Sequence, residues 1–305
     1  MSRAHAIAVM DQLAEQTWHE LRHYYDSKIR IDEDAITSHL LFSIVTRLKG
    51  TLLMRDGRKI ESRTGADFDM WVASPDGTWL RFAMQAKRMT IPTAGYPNLE
   101  HKVGKRGIFQ HELLRRYAKA NGAQPLYLLY NHWDPSLLPG SRLRHAHLAQ
   151  RDRKYGCAVT TLQTAVTAIS TRGAKNYPWI SHQSTTRPWS CLLDPTTFKS
   201  SVPATVAAAM AGAVSGPPSG GVGGAGTAGG GGREVDGESA KPQSSGIEVD
   251  AIVNSNVHDR LPMALQSRMN GPTIQTFVSG DGFVADVRHA PRAVLILGEP
   301  SVGSS

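Results

Sequence analysis

"GADFDMWVASPDGTWLRFAMQAKRM", residues 65–89, is the stretch whose reading decides the fold of this chain. It reads as two β-strands around a tight turn. The first strand alternates Ala66, Phe68, Met70 and Val72 with Asp67, Asp69 and Trp71. The second alternates Leu80, Phe82, Met84 and Ala86 with Trp79, Arg81, Ala83, Gln85 and Lys87. A period of two places both carboxylates on one face, and Gln85 with Lys87 on one face. The apolar sets must face a core, and the polar ends are expected to face a cleft. The turn sets the register: "SPDGT" suits a type I turn followed by a left-handed glycine bulge. That loop pairs Ser74 with Thr78, which sets Asp67 opposite Gln85 and Asp69 opposite Ala83. Opposed side chains are about 5 Å apart at Cβ and diagonal ones roughly 7–8 Å. Asp67, Gln85 and Lys87 therefore converge. A register shifted by two would make Asp69 the partner instead.

A carboxylate oxygen beside an amide oxygen suits Mg²⁺, a hard cation that keeps several waters and takes few protein groups. A lysine next to them can orient a nucleophilic water or offset charge developing on a phosphate. The competing reading is an Asp67–Lys87 ion pair across two strands of a solvated sheet. Upstream, "DEDAITSHLLFSIVTRLKG" (32–50) predicts a helix with Ile36, Leu40, Leu41, Ile44, Val45 and Leu48 on one face and Gly50 as its cap. Glu33 shares that inward face, one turn earlier, and can add a second carboxylate.

Outward from the hairpin, residues 4–23 predict a helix through Ile7, Met10, Leu13 and Leu21, with Trp18 at its edge. Short strands are predicted at 51–55 and 59–64, and a polar loop at 90–105. A helix follows at 107–121, and "PLYLLYN" (125–131) has the apolar pattern of a buried strand. Residues 156–170 read as another helix, and "RPWSCLL" (187–193) closes the body. The expected class is α/β: a mixed central sheet flanked by helices.

An acid early in one strand, (D/E/Q)-x-K in the next, and a preceding helix with a glutamate resemble the PD-(D/E)XK nuclease superfamily. "QAKR" (85–88) is most similar to its Mrr-type branch. The resemblance implies a restriction-endonuclease-like core and Mg²⁺-dependent hydrolysis of phosphodiester bonds; the leading expectation is an endonuclease acting on DNA more readily than RNA, in defence or genome maintenance, although the sequence leaves DNA and RNA both open. It implies Asp67 (or Asp69) and Gln85 as metal ligands, Lys87 as the catalytic lysine and Glu33 as the helix carboxylate. The chain departs from the usual pattern at Ala66, where proline is common, and at the neutral Gln85. "AITSHLL", "GADFDMWV", "QAKR", "PLYLLYN", "GCA" and "PWSCLL" are also similar, in the same order over about 30–195, to an uncharacterised bacterial family.

Charge agrees with a polyanionic partner. Residues 1–200 carry 28 Lys and Arg against 17 Asp and Glu, whereas residues 201–305 carry 6 against 9. Neutralising phosphates releases counterions, so the basic half favours nucleic acid. Lys102, Lys105, Arg106, Arg115, Arg116 and Lys119 are the candidates to track a phosphate backbone. Their alternative is a solvated face. Gln110 is a candidate contact to the site or an ordinary helix-edge residue. His145 and His147 read as surface histidines, and Trp179 and Trp189 as core residues.

Residues 216–232 contain ten glycines in seventeen positions. Residues 201–245 are therefore expected to be a disordered, flexible linker between a body at 1–200 and a β-rich or partly disordered segment at 246–305. Its apolar runs, among them "TIQTFV" and "AVLILG", form either a small β unit or strands laid back on the body. Two cysteines at unpaired spacing, no secretion signal and no apolar run long enough to span a bilayer predict a reduced, cytoplasmic protein without a membrane partner. A homodimer is a further expectation. Two other functions fit the same residues: an inactive nucleic-acid-binding module of this fold, or a structural protein whose hairpin charges pair for solubility.

Overall fold

The computed structural model describes residues 2–48, 51–56, 64–73, 79–104, 107–137, 145–194, 257–258, 274–277 and 293–297. Two helices come first. α1 (Arg3–Asp26) starts at Ser2, whose side chain accepts from the His5 N–H. Its buried residues, Ala6, Val9, Met10, Leu13, Ala14, Thr17, Trp18 and Leu21, follow helical spacing. Trp18 is buried rather than at the edge. α2 (Glu33–Arg47) buries Ile36, Leu40, Leu41, Ile44 and Val45, the stripe that the sequence predicts.

The strands are β1 (Thr51–Asp56), β2 (Phe68–Ala73), β3 (Trp79–Arg88), β4 (Lys102–Val103), β5 (Ile108–Phe109), β6 (Gln124–Tyr130), β7 (Cys157–Thr161), β8 (Arg187–Pro188), β9 (Val257–His258), β10 (Ile274–Phe277) and β11 (Ala293–Leu297). Three further helices are α3 (Gln110–Ala120), α4 (Leu162–Ser170) and α5 (Tyr177–His182). β4 and β5 pair with each other, apart from the main sheet.

The main sheet runs β10-β1-β11-β2-β3-β6-β7-β8, with β9 on β3. It is mixed: β11–β2 and β3–β6 are parallel, whereas β2–β3 and β6–β7 are antiparallel. Helices flank it. α1 and α2 pack on one side, where the Tyr130 side chain meets Thr37 and the Cys157 thiol meets Thr17. α3 covers the other side through Tyr117, which reaches Arg81 of β3. Central strands covered on both faces read as near-continuous apolar runs, and β6 is buried from Pro125 to Tyr130.

Two expectations are corrected here. Residues 156–170 are not one helix: Cys157–Thr161 form β7, antiparallel to β6, and only Leu162–Ser170 are helical. Val159, Thr160 and Thr161 are β-branched, which favours the strand. Thr161 then caps α4, accepting from the Thr164 N–H. Gly156, just before β7, lies so close to α1 that a Cβ would stand 2.0 Å from the Ala14 carbonyl oxygen.

The second correction concerns the body drawn at 1–200. β11 lies within the sheet, antiparallel to β1 and parallel to β2, and β10 pairs with β1. Leu295 and Leu297 belong to the hydrophobic core. Of the C-terminal apolar runs, "TIQTFV" and "AVLILG" thus supply strands to the body, and the sheet reaches past residue 246. The linker at 201–245, the strand predicted at 59–64 and the turn at 74–78 lie outside the described residues, apart from Thr64.

Candidate active site at the start of β2 and the end of β3

The local backbone positions the first acid. Gly65 has a φ of +67°, and a Cβ there would stand 2.5 Å from the Gln110 carbonyl oxygen and 2.7 Å from the Leu114 nitrogen. Glycine is needed both for the left-handed conformation and for α3 to lie this close. Two residues on, the Asp67 N–H donates to the Met84 carbonyl at 2.8 Å. The β2–β3 register pairs Phe68 with Met84 and Asp69 with Ala83, as the turn residues predict.

The Asp67 carboxylate is held by two donors. Its Oδ2 accepts from the Ala86 N–H at 2.7 Å and from Gln85 Nε2 at 2.8 Å. Gln85 Nε2 also donates to the Ala86 carbonyl at 3.1 Å. Gln85 Oε1 is buried and has no hydrogen-bond partner among the described residues. Lys87 Nζ stands 3.9 Å from Glu33 Oε2, and that same oxygen accepts from the Arg88 N–H at 2.9 Å. Thr37 Oγ1 donates to the Glu33 carbonyl at 2.8 Å, so the Tyr130 hydroxyl is the donor in its 2.7 Å bond to Thr37. Those bonds tie the first turn of α2 to β6 and fix Glu33 over the end of β3.

Asp67, Gln85, Lys87 and Glu33 are thus gathered at one end of the β2–β3 pair. Asp67, Gln85 and Lys87 are only 6 %, 1 % and 4 % exposed. The open cleft expected from the sequence is corrected to a nearly sealed cluster, because helices cover both faces of the sheet.

Asp69, the other carboxylate on this face, is engaged elsewhere. Its Oδ2 accepts from Arg81 Nε at 2.8 Å, Arg81 Nη2 at 2.5 Å and the Tyr117 hydroxyl at 2.9 Å. Arg81 Nη1 donates to the Asn121 carbonyl at 2.9 Å, and the guanidinium lies 5.0 Å from the Trp71 ring centre. Burial opposes the Arg81 charge, but the Asp69 carboxylate more than offsets this and holds its pKa above the ordinary value. Burial also pulls the Asp69 pKa upward, against the lowering by Arg81. The other oxygen of the Asp69 carboxylate, Oδ1, has no hydrogen-bond partner among the described residues. The charge of Asp69 is committed to Arg81, and the side chain anchors the hairpin to α3.

Sequence reasoning missed Tyr127. It pairs with Gln85 across β3 and β6 and is fully buried, and its hydroxyl has no hydrogen-bond partner among the described residues. Burial raises its pKa, and the nearby Asp67 charge raises it further. The available signal was a tyrosine among leucines in "PLYLLYN".

The remaining candidates divide. Gln110 is buried at the start of α3, with its backbone against Gly65 beside the site. Arg115 and Arg116 both pair with Glu112, and Lys119 is exposed in the last turn of α3. Lys102 is exposed, with its Nζ 4.6 Å from the Phe109 ring centre. Lys105 and Arg106 lie outside the described residues. His147 is exposed, Trp179 is partly buried, and Trp189 is buried with its indole N–H donating 2.8 Å to the Met10 carbonyl.

The donor set fits a hard divalent cation in kind: the Asp67 carboxylate and Gln85 Oε1, which has no hydrogen-bond partner among the described residues. Among the described residues no group of three or more His, Cys, Asp or Glu is placed to hold a metal. A carboxylate and an amide oxygen would suffice for Mg²⁺, which keeps most of its waters. Among the described residues no helix is long and apolar enough to cross a membrane.

No curated protein and no solved structure matches the chain. The family model described as "Family of unknown function (DUF6615)" matches residues 6–299, from within α1 to just past β11. By that match, which takes in both the site and the late strand beside it, the chain belongs to the DUF6615 family.

Proposed function

We propose that the protein is a Mg²⁺-dependent endonuclease that hydrolyses phosphodiester bonds in DNA, on a restriction-endonuclease-like core of the PD-(D/E)XK kind. One observation carries this reading. A buried lysine, an acid and an amide with an unpartnered oxygen meet at one end of two paired strands, with a helix glutamate 3.9 Å from the lysine. Packing alone supplies no reason to bury Lys87 and Gln85 side by side, since burying polar groups without full compensation costs free energy.

Asp67 and Gln85 would hold the metal, Gln85 by turning its amide so that Oε1 replaces Nε2 beside Asp67. A bound Mg²⁺ supplies Lewis-acid polarisation of the phosphate and a more acidic bound water. Lys87 donates to the attacking water or to the phosphate oxygens, where charge accumulates as the P–O bond breaks. Glu33 accepts from the Arg88 N–H and, 3.9 Å from the Lys87 amine, aims it. The basic excess of residues 1–200 draws the polyanion in.

The test is nicking of supercoiled plasmid with Mg²⁺ and with EDTA. Wild type nicks only with Mg²⁺, and Lys87→Ala does not nick. Equal behaviour of the two proteins ends the catalytic reading. A second reading, an inactive nucleic-acid-binding module, is favoured by the near-sealed cluster and by the two N–H groups already on Asp67 Oδ2. It predicts salt-sensitive DNA binding with no cleavage in either protein.

A further inference from the structure

Beside Glu33 and Arg88 lies a groove of about 350 Å³, on the side of the molecule where α1 ends. Tyr24 and Tyr25 line it from the last turns of α1, Lys28, Ile29 and Arg30 from the segment joining α1 to α2, and Arg88 from the end of β3. The lining has three cationic side chains and no carboxylate. Arg30 has one exposed partner, Asp32, at 3.5 Å. Tyr25 is 39 % exposed and Ile29 58 % exposed, so the groove presents apolar surface to solvent next to its charges.

The backbone here is held in an unusual way. Lys28 has a φ of +55° at the position after the helix cap where glycine is the ordinary choice. Its N–H donates to the Tyr25 carbonyl at 3.1 Å, and the Ile29 N–H donates to the Tyr24 carbonyl at 3.0 Å. The chain thereby reverses over the end of α1, with a lysine where glycine would be less strained. The groove and the catalytic cluster share a wall: Arg88 follows Lys87, and its N–H is the donor to Glu33.

We propose that this groove binds a single-stranded DNA segment, one or two nucleotides long, next to the bond to be cut. The proposal rests on the nuclease reading for the destination of that strand. A concave site of this volume lies at the low end of the range for small-ligand pockets, roughly 300–1,000 Å³. It has room for a nucleotide and not for the width of a duplex. Tyrosine rings give the base a sequence-tolerant stacking surface, and the cations meet the phosphates. The occupant is thus an unpaired stretch at a nick, fork or melted site.

The test uses the full chain in EDTA, so that cleavage plays no part. Anisotropy of a short fluorescein-labelled single-stranded DNA is followed across a salt series. Wild type binds, and a duplex of the same sequence competes less well. Lys28→Gln with Arg30→Gln weakens binding about tenfold and lowers the slope of log affinity against log salt by about one to two. Tyr24→Leu, which keeps apolar volume, also weakens binding about tenfold. Thermal unfolding of each variant shows whether it is folded. Unchanged affinity and slope in folded variants, equal competition by duplex, or no binding by wild type each overturns the groove. Plasmid nicking is scored separately: its loss in Lys87→Ala can stand while the groove fails, and the groove can bind DNA in a protein that does not cut.

Discussion

Asp67 and Asp69 sit two residues apart at the start of β2, yet they meet different partners. Asp69 is sealed against a guanidinium and a tyrosine hydroxyl, with Arg81 reaching on to the end of α3. Asp67 accepts from the Ala86 N–H and from Gln85 Nε2, beside a glutamine oxygen and a tyrosine hydroxyl that have no hydrogen-bond partner among the described residues. The first arrangement spends its charge on holding the sheet to a helix. The second sets a carboxylate and an amide together at the strand ends, where Lys87 and Glu33 also meet. Identical side chains on one face thus take different partners according to what β3 and α3 bring to each.

The largest expected effect tests the architectural half. Asp69→Ala leaves Arg81 buried without its counter-charge and is expected to cost about 3–5 kcal/mol in urea unfolding. A loss no larger than that of Asp67→Ala would erase the distinction. Lys87→Ala tests the other half. It is expected to lower the Mg²⁺-dependent nicking rate about 10²–10³-fold, with a small change in unfolding free energy. A large stability loss with nicking retained would instead make Lys87 a packing residue.

A third experiment asks which acid takes the cation. Mg²⁺ at about 100 times its dissociation constant is expected to stabilise the native protein by about 2.7 kcal/mol. Asp67→Asn should abolish that increment in a thermal melt. Asp69→Asn, destabilised because Arg81 again lacks its counter-charge, should keep it when the two melts are compared under conditions where both variants are folded. The smallest effect is at Tyr127. Its hydroxyl has no hydrogen-bond partner among the described residues, so Tyr127→Phe is expected to change unfolding free energy by less than about 0.5 kcal/mol. A clear fall in nicking without that cost would place the hydroxyl at the reacting centre.

The hairpin was legible because its information is local. Side-chain alternation, "SPDGT" and the spacing of Glu33 before the α2 stripe are all short-range, and the observed register and helix face follow them. The β7 strand was misread because "GCAVTTLQTAVTAIS" carries apolar residues that suit either period, and only pairing with β6 decides for the strand. Tyr127 has only a weak local mark, a tyrosine among leucines in an apolar strand. Its missing hydrogen bond emerges only when β3 and β6 lie side by side.

By itself, then, the sequence determined the class of the fold and the two faces of the hairpin, since these depend on periodicity and turn chemistry within a few dozen residues. Tertiary structure alone decided that Arg81 claims Asp69, that the cluster is covered, and that β11 sits between β1 and β2. Strand pairing across more than two hundred residues leaves no trace in local pattern. A carboxylate's role depends on which charge its neighbours bring to it in space.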